Sequence, residues 1–203
     1  MAPKYFVPIV YLHLLAGTGL TFLSSRHPLA VGFFYELALL VVVFGALFAL
    51  FAMTPGPMKY LVAALFCAAL GQTMAAQVQS LEHRNLIGQT LIATLGIFAA
   101  MSAVGFLDNQ NLLGFGGYLL AALVGLLIAR IVYSFVPSES TSKRSLYSML
   151  SWIGAGLFSI YVAYDTQRLK EDMKRKTSPD YVMSSMGLYL DFLNLFQNIG
   201  NLK

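Results

Sequence analysis

Seven long apolar stretches run through this chain, and they constrain its fold more than any other feature. They cover approximately residues 5–23, 29–53, 60–79, 86–106, 112–135, 146–164 and 181–199. Each is about as long as a helix needs to be to cross the ~30 Å hydrocarbon core of a bilayer. The alternating ~10-residue segments of a membrane β-barrel are absent. The sequence therefore predicts an all-α integral membrane protein, with seven transmembrane helices forming a single domain over residues 1–203.

Composition supports lipid, and not water or nucleic acid, as the partner of most of the surface. The chain is 58% hydrophobic and 11% charged, whereas soluble domains carry about 25% charged residues. The net charge of +4 comes from Lys and Arg residues that lie mostly in the short connectors, as is typical of membrane proteins. The single cysteine, Cys67, excludes an intrachain disulfide and a cysteine-based metal site.

The connector between the sixth and seventh stretches, "DTQRLKEDMKRKTSPD", sets the predicted orientation. It contains five of the 13 Lys and Arg residues, and such residues concentrate on the cytoplasmic side. We therefore place the N-terminus and this connector in the cytosol or its topological equivalent. At its end, "TSPD" resembles a capping box, with Thr177 as N-cap and Asp180 three residues later, so we expect the seventh helix to begin there.

Polar and small residues form stripes on the last two predicted helices. Because residues three, four and seven apart share a helical face, one stripe of the seventh helix consists of Ser184, Gly187, Asp191, Asn194 and Asn198. The sixth helix has a small-residue stripe of Ala155, Ser159, Ala163 and Thr166, and a neighbouring line of Gly154, Phe158, Tyr161 and Asp165. Small residues let helices approach closely. We therefore expect these helices to pack together, with the seventh central and its acid turned away from lipid.

Asp165 and Asp191 are the candidate functional residues, because both could meet in the cytosolic half of the bundle. Two adjacent carboxyl groups cannot both ionise easily, so the pair titrates as a unit. A shared proton would hold the helices together, and its loss would leave two repelling charges or a site for a hard cation such as Ca²⁺. The alternative is that each acid only caps or hydrogen-bonds locally, in particular Asp165 at a predicted helix end.

Other polar residues inside the spans have supporting roles in this prediction. Asn194, Asn198 and Tyr161 are candidates for lining or supporting an ion pathway. Glu36 and Arg130 suggest a structural ion pair, although Arg130 could extend to the interface and Glu36 could line an outer vestibule. Gln72 suggests hydrogen bonding between helices. No nucleophile-and-base pair or metal-ligand cluster indicates an enzyme, and no lysine in the last span could hold retinal.

The residues around the two acids also carry a family resemblance. "LYSMLSWIGAGLFSIYVAYDTQRLK" followed by "GLYLDFLNLF" resembles the C-terminal region of the Bax inhibitor-1 family, the transmembrane Bax inhibitor motif proteins. "FAMTP" before the third span is also similar. The two C-terminal motifs together are specific, whereas either one alone would be weak.

The resemblance implies a seven-helix bundle that acts as a pH-regulated Ca²⁺ leak pathway, with Ca²⁺ as the transported ion and no cofactor. Asp165 and Asp191 would match the paired aspartates that sense protons, and both would be Ca²⁺ ligands. It also implies suppression of cell death through lowered organellar Ca²⁺, with cell-death regulators as possible partners. The membrane would be that of the endoplasmic reticulum, the Golgi or the inner mitochondrion, or a bacterial plasma membrane.

Two alternatives stay open beside the leak pathway. The "YDTQ" form is similar to the mitochondrial branch of the family, for which Ca²⁺/H⁺ exchange is proposed, and a non-conducting interaction protein is the other reading. The chain departs from the family pattern after the second span, where Lys59 is the only basic residue available to hold a sensor aspartate, as an arginine does in some members. "ALGQTMAAQV" replaces the family's Gly-Pro-rich third span, and the chain ends at Lys203 without the basic tail of some animal members.

Overall fold

The described part of the chain is helical throughout. The computed structural model describes residues 5–30, 32–107, 111–137, 141–175 and 180–203. Within these ranges the helices are α1 (Phe6–Arg26), α2 (Phe33–Ala52), α3 (Pro57–His83), α4 (Ile87–Leu107), α5 (Gly116–Ser134), α6 (Thr141–Arg175) and α7 (Tyr181–Asn201). A short 3-10 helix, Leu112–Phe115, leads into α5. The predicted all-α membrane architecture is confirmed.

Most helix bounds agree with the predicted spans to within four residues, but α6 does not. It has 35 residues, or about 50 Å at 1.5 Å per residue, well beyond the ~30 Å of a hydrocarbon core. The prediction that the helix gives way to a connector near residue 164 is therefore wrong. Most of the basic connector continues α6, because its Lys, Arg, Glu and Gln residues are good helix formers.

Six helices in the described ranges are long and apolar enough to cross a membrane, and α7 is not among them. α7 has the required length of 21 residues, but its polar stripe lowers its hydropathy. Nearly all of its side chains are buried or half-buried within the protein. A helix surrounded by protein does not need an apolar surface on every side, which explains how α7 differs from a lipid-facing helix such as α5.

The chain divides into two compact units, and each takes part of α7. The first unit is Met1–Asn85 with Asp172–Tyr189, and the second is Leu86–Glu171 with Leu190–Lys203. The prediction of one domain over the whole chain stays a prediction.

In the first unit, α1 and α3 pack closely through Gly71 and Gln72. A Cβ atom at Gly71 would collide with the backbone carbonyl of Thr21. Gln72 Nε2 donates to the carbonyl of Ser24 at 2.7 Å, and its Oε1 accepts from the hydroxyl of Tyr35 at 2.9 Å. The expected hydrogen bonding of Gln72 between helices is confirmed, and it joins α3 to both α1 and α2.

The first unit also holds the N-terminus of α7 through an ion pair. Asp180 is the N-cap, since its Oδ1 accepts from the backbone N–H of Met183 at 3.1 Å. Its Oδ2 accepts from Lys59 Nζ at 2.6 Å, and Lys59 also donates to the carbonyl of Met53 at 2.8 Å. The prediction of Thr177 as N-cap is wrong because Asp180 occupies that role, and Thr177 itself lies outside the described residues.

In the second unit, the small-residue stripe of α6 packs against α4. A Cβ atom at Gly105 would collide with the carbonyl of Ala163 and with Thr166. The Thr166 hydroxyl donates to that of Ser102 at 3.4 Å. The Ala163 and Thr166 end of this stripe therefore packs against α4, and the expectation that the whole stripe faces α7 stays a prediction.

Candidate functional site

The neighbouring line of α6, which carries Gly154 and Asp165, is the face that meets α7. A Cβ atom at Gly154 would overlap the side-chain amide of Asn198, and the carboxyl groups of Asp165 and Asp191 lie close enough to interact electrostatically and within reach of a hydrogen bond. These two contacts lie at different levels of the α6–α7 pair. Without a side chain at Gly154, α7 can come close enough for the two acids to touch.

Asp165 and Asp191 differ in their surroundings. Asp191 lies at the middle of α7 and is only 4% exposed. Asp165 is half-buried and lies well inside α6, so the expectation that it stands near a helix end is wrong. It has no free helix terminus to cap, which removes the structural basis of the local-capping alternative.

A hydrogen bond between the two acids requires a proton. An ionised carboxylate only accepts hydrogen bonds, so two ionised groups have no donor between them. A hydrogen-bonded pair of carboxyl groups therefore holds at least one proton. Oδ2 of Asp191 is buried and has no hydrogen-bond partner in the described ranges, which leaves an oxygen that can accept a proton or a cation.

Tyr161 and Arg168 flank the acid pair on α6. Tyr161, one turn before Asp165, lies within electrostatic range of both carboxyl groups. Arg168, almost one turn after Asp165, is exposed and interacts electrostatically with that acid. The pair therefore has a buried member and a member close to an exposed guanidinium.

Asn198 and Arg130 form a second polar contact in the same unit. Arg130 Nη2 donates to Asn198 Oδ1 at 2.5 Å, and Asn198 Nδ2 donates to the carbonyl of Asn194 at 2.7 Å. Asn194 itself bonds locally, to the carbonyl of Leu190 at 2.8 Å. Of the two asparagines, Asn198 is thus the one engaged by another helix.

The ion pair predicted between Glu36 and Arg130 stays a prediction, because the two residues belong to different units. Arg130 binds the amide of Asn198, and Glu36 is exposed in the first turn of α2. A carboxylate near a helix N-terminus is stabilised by the helix dipole, so Glu36 does not require a basic partner.

The acid pair by itself cannot form a tight Ca²⁺ site. Ca²⁺ takes six to eight oxygen ligands, and no group of three or more His, Cys, Asp or Glu side chains comes together in the parts of the chain that are described. Two carboxyl groups suit a cation that is bound weakly and keeps most of its water.

Two contacts of this chain were not found by sequence reasoning. The Lys59–Asp180 pair joins residues 121 positions apart, and no local sequence pattern links the two. The Gly154–Asn198 contact had a signal, since Gly154 was on the same line as Asp165, but the small-residue stripe beside it was more conspicuous.

Comparison with known proteins identifies the family. A model of the family described as inhibitor of apoptosis-promoting Bax1 matches residues 4–202. The chain belongs to the Bax inhibitor-1 family. Both motifs that carry the acids, "YDTQ" and "YLDFLNLF", lie within the matched residues.

Several curated proteins are similar to this chain. Bax inhibitor 1 of Schizosaccharomyces pombe is 30% identical over 196 residues, which is 96% of this chain and 67% of the yeast protein. Protein lifeguard 4 of Mus musculus is 30% identical over 82% of this chain and 69% of its own length. Inner membrane protein YbhL of Escherichia coli is 35% identical over 54% of this chain and 48% of its own length. The chain thus spans about half to two thirds of these relatives.

Proposed function

We propose that this protein is a Ca²⁺ leak pathway gated by the proton that Asp165 and Asp191 share. The observation that carries the proposal is the proximity of the two carboxyl groups, together with the burial of Asp191. A buried acid that meets another acid, and not a base, is a costly arrangement in a membrane span, and such residues mark ion or proton pathways.

The gate follows from the charge of the pair. With one shared proton the pair carries a single negative charge and joins α6 to α7. When the proton leaves, two negative charges remain at short range, where they repel each other and attract a hard cation. A change of pH therefore changes both the contact between the helices and the affinity of the site for Ca²⁺.

The acid pair supplies too few ligands to hold Ca²⁺ tightly, which supports a conducting site and not a tight binding site. Only two carboxyl groups are supplied, so Ca²⁺ would be held weakly and released readily. Conduction requires a site that is favourable enough to enter and weak enough to leave.

A role in limiting cell death follows as part of the same proposal. The matching family is described as an inhibitor of apoptosis-promoting Bax1, and the similar yeast protein is named Bax inhibitor 1. A Ca²⁺ leak would lower the Ca²⁺ content of an organelle and so weaken death signals that depend on it. The membrane would be that of the endoplasmic reticulum, the Golgi or the inner mitochondrion in a eukaryote, or the plasma membrane in a bacterium.

The test is Ca²⁺ flux into liposomes that contain purified protein and a Ca²⁺-sensitive dye, measured across neutral pH. We expect the flux of the wild type to change over the range in which the pair loses its proton. Asp191→Asn should abolish this response, and Asp165→Asn should largely do so, because neither variant can form the shared-proton state. Glu82→Gln, a matched acid-to-amide change at an exposed ion pair, should keep it. If both aspartate variants conduct with an unchanged pH response, the gate is elsewhere.

A Ca²⁺/H⁺ exchanger is the second candidate, and the same pair favours it. Because the buried oxygen of Asp191 can take either a proton or a cation, binding of one ion would expel the other. Flux that depends on an imposed pH gradient, beyond its dependence on pH itself, would indicate exchange. Folded protein that conducts nothing would favour a non-conducting protein that acts through its partners.

A further inference from the structure

Arg130 is a permanent charge in a span, and its partner is neutral. It lies in α5 and is half-buried. It donates to the amide oxygen of Asn198 at 2.5 Å. Arg stays protonated at any physiological pH, so a permanent positive charge is held here by a neutral group of the described residues. Such a charge is costly in a membrane and suggests a role.

Arg130 is held at one end of the face that carries the acid pair. Asn198 follows Asp191 by seven residues, which is two helical turns on the same face and about 10 Å of rise. On α6 the partners of these two residues, Gly154 and Asp165, also share a line. The α6–α7 face therefore has the acid pair at one level and the positive charge of Arg130 about two turns further along α7.

The side-chain amide of Asn198 has a fixed orientation, and it therefore also fixes the position of the Arg130 guanidinium that it binds. Asn198 is 2% exposed, its Nδ2 donates to the carbonyl of Asn194, and Gly154 leaves just the room that its amide fills. The amide oxygen is thus aimed at Arg130. A second basic group reinforces the charge at this end of α5, since Lys143 Nζ lies 5.4 Å from the ring centroid of Tyr133.

We propose that Arg130 is the residue that determines charge selectivity in this protein, by opposing the passage of divalent cations more strongly than that of monovalent cations. The inference rests on the proposed function, because it needs a cation pathway along the α6–α7 face. In this arrangement the acid pair attracts Ca²⁺ and Arg130 limits how fast it passes, so the leak stays slow.

The valence of the ion gives the proposal a quantitative signature. The Coulomb energy of an ion beside a fixed charge is proportional to the charge of the ion. A barrier due to Arg130 is therefore twice as high for Ca²⁺ as for K⁺, whatever the distance and dielectric constant. If loss of the charge raises K⁺ flux about 5-fold, Ca²⁺ flux should rise about 25-fold.

The experiment compares K⁺ and Ca²⁺ fluxes in liposomes for three variants. Arg130→Gln removes the charge but keeps a donor for Asn198, and we expect it to raise Ca²⁺ flux by about the square of the factor for K⁺. Arg130→Lys keeps the charge and should leave the Ca²⁺/K⁺ ratio within about 2-fold of the wild type. Arg144→Gln, at an exposed arginine of α6, is the matched control and should change neither flux.

A structural role for Arg130 would give a different result. Loosened packing would raise both fluxes by the same factor, and Arg130→Lys would share the effect because lysine cannot reproduce the fork of the guanidinium. Equal factors for K⁺ and Ca²⁺ in Arg130→Gln would overturn the proposal. A wild type that conducts no cation would instead contradict the proposed function itself, so the two failures are distinguishable.

A second variant covers the case in which Arg130→Gln does not fold. Asn198→Asp is nearly isosteric and places a carboxylate against Arg130 Nη2, which neutralises the charge without removing the side chain. It should shift the Ca²⁺/K⁺ ratio in the same direction as Arg130→Gln. An unchanged ratio in folded Asn198→Asp would equally overturn the proposal.

Discussion

The first and second units differ in the group that a buried acid contacts. The acids compared are Asp180, the N-cap of α7, and Asp191, which lies within α7. In the first unit, Asp180 meets the ammonium of Lys59, which is 2% exposed. In the second, Asp191 meets another acid, Asp165. The basic residue of the second unit, Arg130, meets a neutral amide. The buried acid of the first unit is thus paired with a base, whereas the two acids of the second unit face each other beside the exposed Arg168.

The two units do not differ in how closely their helices pack. Gly71 in the first unit and Gly105 in the second each meet a backbone carbonyl of a neighbouring helix. Both units thus use the same device for close approach. At these residues the difference is one of electrostatics, and it supports the proposal that the second unit carries the ion chemistry.

The largest effect is expected for the ion pair of the first unit. Lys59→Met should lower the free energy of unfolding by about 3 kcal/mol, because Asp180 loses its partner while partly buried. This value is at the low end for buried pairs because the Asp180 side chain is 21% exposed. It can be measured by denaturant titration of the detergent-solubilised protein. Arg26→Gln breaks a pair that is 52% and 30% exposed, and this control should cost less than about 1 kcal/mol. Equal costs would mean that Lys59 is not a structural anchor.

The next largest effect tests the packing that the two units share. Gly71→Ala and Gly105→Ala each place a Cβ atom against a backbone carbonyl, and each should cost about 1–3 kcal/mol through overpacking. Gly125→Ala, where no atom lies within 4 Å, should be neutral or slightly stabilising. Thermal unfolding in detergent measures all three. A marked cost in only one unit would show that the units also differ in packing.

The smallest effect is expected at the acid pair. Asp191→Asn should change the free energy of unfolding by less than about 1 kcal/mol, because the amide can donate to Asp165 without needing a proton. The same substitution at Asp180 should resemble Lys59→Met, since it leaves a buried ammonium without its counter-charge. The two aspartate variants can be compared by the same titration. A large loss in Asp191→Asn would give the acid pair a structural role and remove the contrast between the units.

The sequence predicted the positions of the helices well wherever hydropathy alone determines them. Six helix positions followed from apolar length alone, since a bilayer admits few other structures. α6 was predicted too short because its C-terminal part is polar, and hydropathy reports where a helix leaves lipid and not where it ends. The seventh helix also followed from its apolar stretch, and its polar stripe added the prediction that this helix is buried.

By itself, then, the sequence determined that this is a helical membrane protein with an acid inside each of its last two long helices. The period of 3.6 residues and the cost of charge in lipid are local properties, so they can be read from the chain. Only the tertiary structure decided that Asp165 touches Asp191, that Lys59 binds Asp180 and that Arg130 binds Asn198. Those choices depend on which faces of the helices meet, and glycines such as Gly154 allow the close approach that the sequence alone does not assign to a partner.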